Sequence, residues 1–333
     1  MIARGVLLMK KFLVTVAFIV TSGIFTVNIF AGGKTEKLPK GKIAVAASFD
    51  AMQELTKIVG GDKVYIHTII PPGIEAHDFE PKAGDLSFLT QAKAIVYNGL
   101  GMEPWLNDAL RAVKRENLQA ICASNGIEPL ELTGGHHHHH HGHEHSHDAD
   151  CDDSCCDEHE EHEGNVDPHA WLSLESAKVM VKNIAEGLSQ ADPANAAVYR
   201  GNAEAFIAEA DKLLGKYRSD FAALKHRHFV TGHAAFGYLC RDFGLEQNSV
   251  EDVFSAGEPS AKQLAKLTDY CNQHGIKTVF SEATASPQVS ETLAKEVGAS
   301  VQTIYTIETA EGGLSYMERM ISNIEKIYKS LVQ

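Results

Sequence analysis

Apolar and polar positions along the chain alternate between two textures. Short runs rich in β-branched residues, Lys42–Ser48, Lys63–Ile70, Lys93–Asn98 and Leu118–Ala123, read as strands buried in a parallel sheet, with helical patterns between them. The same rhythm returns at Arg227–Thr231, Gly275–Phe280 and Ser300–Ile307. Strands alternating with helices imply βαβ units, so the expected class is α/β, with two lobes on central, mostly parallel sheets. Between the halves, Phe206, Ala210, Leu213, Tyr217, Phe221 and Leu224 recur at steps of three or four. They follow Asp192-Pro193, a cap with proline at the first helical position. One helix from Pro193 to Leu224 would be about 48 Å long at 1.5 Å per residue. It reads either as a core helix or as a rigid strut joining two lobes; its length and the α/β pattern on each side favour the strut. The expected layout is a first lobe over 32–191, the connecting helix over 192–225 and a second lobe over 226–333.

The start of the chain does not fit either texture. Lys10-Lys11 precede an apolar run from Phe12 to Phe30 that ends in Ala31-Gly32-Gly33, the layout of a secretory signal peptide over residues 1–31. Thr21-Ser22-Gly23 and the small-residue exit favour cleavage over a membrane anchor. No cysteine lies near that exit to accept a lipid. The expectation is an exported protein, periplasmic where the cell has two membranes. Export permits disulfides, and Cys240 with Cys271 is one pairing that spacing alone does not decide.

Charge sharpens the picture at one place. The 333 residues carry 44 Asp plus Glu against 30 Lys plus Arg, a net charge of −14, which excludes a broad nucleic-acid-binding surface. From His136 to Glu163 there are ten acidic residues, no basic ones, eleven of the 18 histidines and three of the six cysteines. The remainder of the chain carries about −4. The histidines are His136, His137, His138, His139, His140, His141, His143, His145, His147, His159 and His162. The segment 133–165 has almost no apolar residues, so it reads as a loop inserted in the first half. An affinity tag is disfavoured by its mid-chain position. His143-Glu144-x-x-His147 matches a metalloprotease motif in letters, but no apolar face is present to pack such a helix on a core. A flexible metal-collecting loop fits best. Deleting His136 to Glu163 should lower the number of metal ions bound and leave one tight site.

Three further histidines and a glutamate sit where α/β sheets build sites, outside the carboxyl ends of strands. His77 follows the strand ending at Ile70, His233 follows Phe229-Val230-Thr231-Gly232, and Glu282 follows Thr278-Val279-Phe280-Ser281. His169 lies in Asp167-Pro168-His169-Ala170-Trp171, read as a helix start whose first turn leaves the imidazole facing a cleft. Any one of these can be a structural histidine, as His67, His226, His228 and His274 are taken to be.

The flanking motifs change that balance. Pro72–Pro81 (Pro-Gly-x-x-x-His-x-x-x-Pro), Asn98-Gly99 with Glu103 and Trp105, Asp167–Trp171, Thr231-Gly232-His233 with Phe236 and Tyr238, Glu258-Pro259-Ser260 and Phe280-Ser281-Glu282 occur in order. Together they resemble the solute-binding proteins of zinc and manganese ABC transporters, over nearly all of the chain from about Lys42. The resemblance implies two α/β lobes joined by a long helix, a metal in the cleft between them, and His77, His169 and His233 as ligands. It also implies permease and ATPase subunits as partners, a monomer, and a carrier rather than an enzyme. Manganese-binding members have a carboxylate at the third position, where this chain has His233. Three neutral imidazoles suit Zn²⁺, the expected cargo. Many members supply a fourth ligand from an aspartate after the last strand, but Ile304–Thr309 contains none. Glu282, Glu308, Glu75 or a water can complete the shell, and Glu282 can instead orient a histidine. A manganese carrier, a periplasmic zinc buffer without a permease and a zinc hydrolase are the competing readings. Ligands must be deprotonated to bind, so zinc affinity should fall as the pH drops through roughly 6.5 and below, near the ordinary histidine pKa.

Overall fold

The first apolar run forms β1 (Ile43–Ala47), followed by α1 (Asp50–Gly60), β2 (Val64–Thr68), β3 (Ala94–Tyr97), α2 (Leu106–Val113) and β4 (Gln119–Cys122). The four strands make a parallel sheet in the order β2-β1-β3-β4. Val45, Ala46 and Ala47 of β1 and Ile95 and Val96 of β3 are fully buried, as central strands covered on both faces require. The computed structural model describes residues 38–115, 117–132, 166–253, 260–282 and 287–332, all within the unit Glu36–Gln333. The signal peptide expected over 1–31 and the His-rich segment 133–165 lie outside the described residues. So do Glu258 and Pro259 of the sequence motifs. Among the described residues, no helix is long and apolar enough to cross a membrane.

Two short antiparallel strands, β5 (Leu130–Glu131) and β6 (Val166–Asp167), bracket the His-rich segment, with Leu130 opposite Asp167. They hold its two ends side by side, so an insertion there leaves the sheet undisturbed. Next comes α3 (Leu174–Ala191), capped by the Ser173 hydroxyl, which accepts the Ser176 amide N–H.

The long helix differs from its sequence reading at both ends. Pro193–Asn195 is a 3-10 turn, and α4 runs from Ala196 to Ala222, 27 residues or about 40 Å. Asp192 does not cap it; its Oδ2 accepts from Asn195 Nδ2 (2.7 Å) and the Tyr199 hydroxyl (2.8 Å). The buried stripe is Tyr199, Ala203, Phe206, Ala210, Leu214, Tyr217 and Phe221, with Leu214 rather than Leu213 fully in the core.

The second half contains β7 (His228–Thr231), α5 (Gly237–Phe243), β8 (Glu246–Ser249), α6 (Ala261–His274), β9 (Thr278–Glu282), α7 (Pro287–Val297), β10 (Ser300–Ile304) and α8 (Tyr316–Leu331). Its parallel sheet is ordered β10-β9-β7-β8, the same topology as the first when read from the other edge. β8 escapes the hydrophobic pattern because Glu246-Gln247-Asn248-Ser249 is polar; it is an edge strand held by its backbone ladder to β7.

α4 serves the core as well as the connection. Val45, Met52 and Leu55 from the first half, Phe206, Leu214 and Phe221 from α4, and Phe229, Phe280 and Ile324 from the second half form one continuous apolar cluster. Close-packed interiors resist deformation, so rotating one half against the other would mean repacking this cluster. Cys240 and Cys271 are free, buried thiols, so the disulfide considered from the sequence is not formed.

Candidate metal centre

In each sheet the strand order reverses beside the first strand, β1 or β7, which places a crevice at the carboxyl ends. Loops leaving those ends carry the site. Beyond β2, the chain turns through Pro71–Pro81 and presents a half-buried His77. Gly73, at φ +81°, makes the left-handed turn there, and its N–H donates to Thr309 Oγ1 at 2.6 Å. That bond ties the His77 loop to the loop that follows β10.

His169 follows β6 directly and is fully buried. Asp167-Pro168 does not start an α-helix, as the sequence suggested, because Ala170–Leu172 is a 3-10 turn and α3 begins only at Leu174. The Asp167 carboxylate is instead committed to His169: Oδ1 accepts the backbone N–H (2.9 Å) and lies 2.8 Å from ring Nδ1. A carboxylate can only accept there, so Nδ1 carries the proton and Nε2 offers its lone pair. Burial pushes the Asp167 carboxyl up to about 7, with the His169 backbone bond pulling it back.

His233 leaves β7 through Gly232 and is buried. Glu282, at the end of the adjacent β9, accepts the His233 backbone N–H on Oε1 (3.2 Å). A Cβ at position 232 would stand 2.3 Å from Glu282 Oε2, so any other residue there would displace that carboxylate. Burial holds the Glu282 carboxyl up at about 8. The His233 carbonyl accepts from Thr231 Oγ1 (2.6 Å) and Gln247 Nε2 (2.8 Å), and its ring Nε2 donates to the Val253 carbonyl (2.8 Å).

Glu308 lies just beyond β10 and is 3% exposed. It follows Ile307, whose φ of +60° is unusual for a β-branched residue and turns the chain sharply before the carboxylate. The indole N–H of buried Trp171 donates to the Thr306 carbonyl (2.7 Å), fixing this loop from the first half.

These segments converge. One ligand atom each from His77, His169, His233 and Glu308 lies within 4.8 Å of the other three. His77 Nε2 and His169 Nε2 are 3.1 Å apart, and His169 Nε2 is 3.9 Å from Glu308 Oε1. Two imidazole nitrogens at that spacing share a proton or share a cation. Of the carboxylates weighed from the sequence, Glu308 joins the cluster. Glu282 stands behind the His233 backbone because β9 ends beside Gly232 and directs its side chain there. Nothing in the local sequence ranks Glu308 above Glu282, since Glu282 ends β9 and Glu308 follows β10.

The electrostatics suit a divalent cation. Burial, with the neighbouring imidazoles adding to it, lowers His77 to about 3; burial also lowers His233, and it holds His169 well below the ordinary histidine range. The three rings are therefore neutral at pH 7, the form that coordinates metal. Burial and then the charge of nearby Glu75 hold the Glu308 carboxyl well above the ordinary carboxylate range.

Comparison with known proteins agrees with this arrangement. The family model ZnuA, described as zinc-uptake complex component A, periplasmic, matches residues 45–330. A Treponema pallidum protein provisionally described as metal-binding is 45% identical over 297 residues, covering 89% of this chain and 88% of that protein. The high-affinity zinc uptake system protein ZnuA of Bacillus subtilis is 34% identical over 296 residues, 87% of this chain and 88% of its own length. The crystal structure of AdcAII from Streptococcus pneumoniae superposes with a TM-score of 0.75 at 27% identity, covering 88% of this chain and all of that one. The chain belongs to the ZnuA family, the periplasmic solute-binding components of zinc-uptake complexes.

Proposed function

We propose that this protein captures Zn²⁺ with His77, His169, His233 and Glu308 and delivers it to the permease of an ABC transporter driven by its ATPase. The observation that carries this is the convergence of four ligand atoms, from loops of both halves, to within 4.8 Å of one another. Three neutral imidazoles and one carboxylate match the tetrahedral N/O preference of zinc; manganese favours oxygen-rich, higher-coordinate shells. Catalytic zinc sites keep a position open for water or substrate. Here a carboxylate stands at the fourth position, which supports a carrier without turnover. We place the protein outside the cytoplasm as a monomer, with the export signal in residues 1–31 and the histidines of 133–165 collecting zinc.

Competition decides the cargo. Protein purified without chelator should hold one tightly bound zinc that excess Mn²⁺ does not displace. Displacement by Mn²⁺ at comparable concentration, or hydrolysis of a peptide or ester abolished by His77→Ala, would sink this reading.

The pH dependence differs from the one expected for ordinary histidines. Because the imidazoles are already neutral well below pH 6.5, they release no protons when zinc binds near neutrality. Burial raises the Glu308 carboxyl, so its proton competes with zinc, and zinc affinity should rise with pH across the range in which that carboxyl ionises. Calorimetry in buffers of different ionisation enthalpy should report net proton release when zinc binds the tight site. Glu308→Gln should reduce that release. Release unchanged in this variant would place the proton elsewhere.

A further inference from the structure

Two motifs in the chain supply no ligand to the metal centre: Asn98-Gly99 with Glu103, and Tyr238 beyond Thr231-Gly232-His233. Both reach the segment that carries His169. That segment has little regular structure to hold it. β6 has two residues, the 3-10 turn after His169 has three, and the insertion 133–165 lies directly before β6. Four ligand atoms nevertheless meet within 4.8 Å, and a ring on a loosely held backbone would miss that arrangement.

The peptide planes on either side of Pro168 are fixed by side chains from opposite halves. From the first half, Asn98 is fully buried just beyond β3, and its Nδ2 donates to the Pro168 carbonyl at 2.9 Å and the Gly99 carbonyl at 2.8 Å. Both neighbours are carbonyl oxygens, so the amide can turn only its NH2 group towards them. Its backbone is held in turn by the Glu103 carboxylate, which accepts the Asn98 N–H on Oε1 (2.8 Å) and the Gly99 N–H on Oε2 (3.0 Å). Asn98 Oδ1 has no hydrogen-bond partner among the described residues. A buried acceptor left unpaired costs stability, so an apolar side chain would serve the core better; what asparagine adds is its donor.

From the second half, the Tyr238 hydroxyl of α5 donates to the Asp167 carbonyl at 2.8 Å and accepts the Leu130 N–H at 3.1 Å. Leu130 and Asp167 are partners in the β5–β6 register, so one hydroxyl ties both strands to α5. A Cβ on Gly237 would stand 2.7 Å from Asp167 Oδ2, so α5 starts in close contact with that carboxylate. The Pro168 ring locks its own φ. With the carbonyls of Asp167 and Pro168 fixed as well, the backbone presents His169 in one orientation, and Asp167 Oδ1 then holds the ring.

Resting on the zinc-capture reading above, we infer that Asn98 and Tyr238 are positioning residues for the transport site. Neither belongs to the ligand cluster; each sets zinc affinity by holding the backbone of His169, one from each half of the molecule.

The test uses the full chain and zinc chloride. Asn98→Leu and Tyr238→Phe keep the branching or the ring and remove the donor, and each should weaken zinc binding roughly tenfold, the lower end of what losing a partner behind a ligand costs. In a His169→Ala background neither change should weaken binding further by more than about twofold, because the ring they position is gone. With Co²⁺ in place of zinc, the visible absorption should be altered in both variants, since the ligand field reports where the imidazole sits. Tyr238→Phe carries the test if Asn98→Leu does not fold. Parent affinity in a folded variant, an equal loss in the His169→Ala background, or an unchanged cobalt spectrum overturns the inference. His169→Ala binding zinc as the parent does would overturn the four-ligand reading and this inference with it, a result distinct from failure of the two positioning variants alone.

Discussion

Replacing His169 with alanine is expected to weaken zinc binding by about two orders of magnitude or more. Four-ligand zinc sites bind with about 10–16 kcal/mol, so one ligand of four contributes roughly 3 kcal/mol, about 100-fold in affinity. His169 should lie at the upper end of that range. Its ring is fully buried and its Nδ1 is fixed by Asp167, so the orientation of its Nε2 is set in advance, and no water reaches the site easily to replace it. Asp167→Ala should cost about 10–100-fold, the usual effect of losing the partner that orients a metal-binding histidine. His67→Ala should leave the affinity unchanged, since that ring stacks on Phe88, centroids 4.6 Å apart, away from the cluster. Competition against a chromophoric zinc chelator measures all three. Unchanged affinity in His169→Ala would remove His169 from the ligand set.

The second large effect concerns the frame that holds Glu308. Arg319 of α8 is 1% exposed and pairs with Asp50 at the start of α1, Nη2 to Oδ2 2.7 Å. Its Nη1 donates to the Thr309 carbonyl at 3.0 Å, next to Glu308. Burial raises the Asp50 carboxyl, and the Arg319 guanidinium works against that rise. Removing one partner of a buried pair strands the other charge, so Arg319→Met should destabilise the protein by about 3–5 kcal/mol, lowering Tm by roughly 10 °C. Adding Asp50→Asn should recover part of this loss, because the stranded charge is then gone. Zinc affinity should fall too, as Thr309 loses the donor that positions its loop. Denaturant unfolding of the single and double variants gives the coupling. A loss below about 1 kcal/mol in Arg319→Met would put the pair in the class of surface ion pairs.

Both predictions rest on residues that differ in how readable they are from sequence. Strand ends give His77, His233 and Glu282, because the position after a buried β-run is visible in the pattern. His169 shows as a motif, but its environment does not: the sequence suggested an exposed first turn, and the fold buries the ring against Asp167. Glu308 carries no local signal beyond its place after β10. Arg319 carries none, since a lone arginine in a helix is ordinarily solvated and only the packing of α8 against α1 takes it out of water. His228, His226 and His274 show the same limit. They are 48 residues apart at the extremes, 226 to 274, and parallel pairing with a helix return brings them to one pocket.

By itself the sequence determined the α/β class, most of the strands, the long helix and the three imidazoles, because those follow from local periodicity and from motifs a few residues long. Tertiary structure alone decided which carboxylate joins them and which protonation states they hold. It also decided that α4 belongs to one core shared by both halves. The physical reason is that each of these depends on burial and on groups distant in the chain, and desolvation acts on a side chain only once the fold has closed around it.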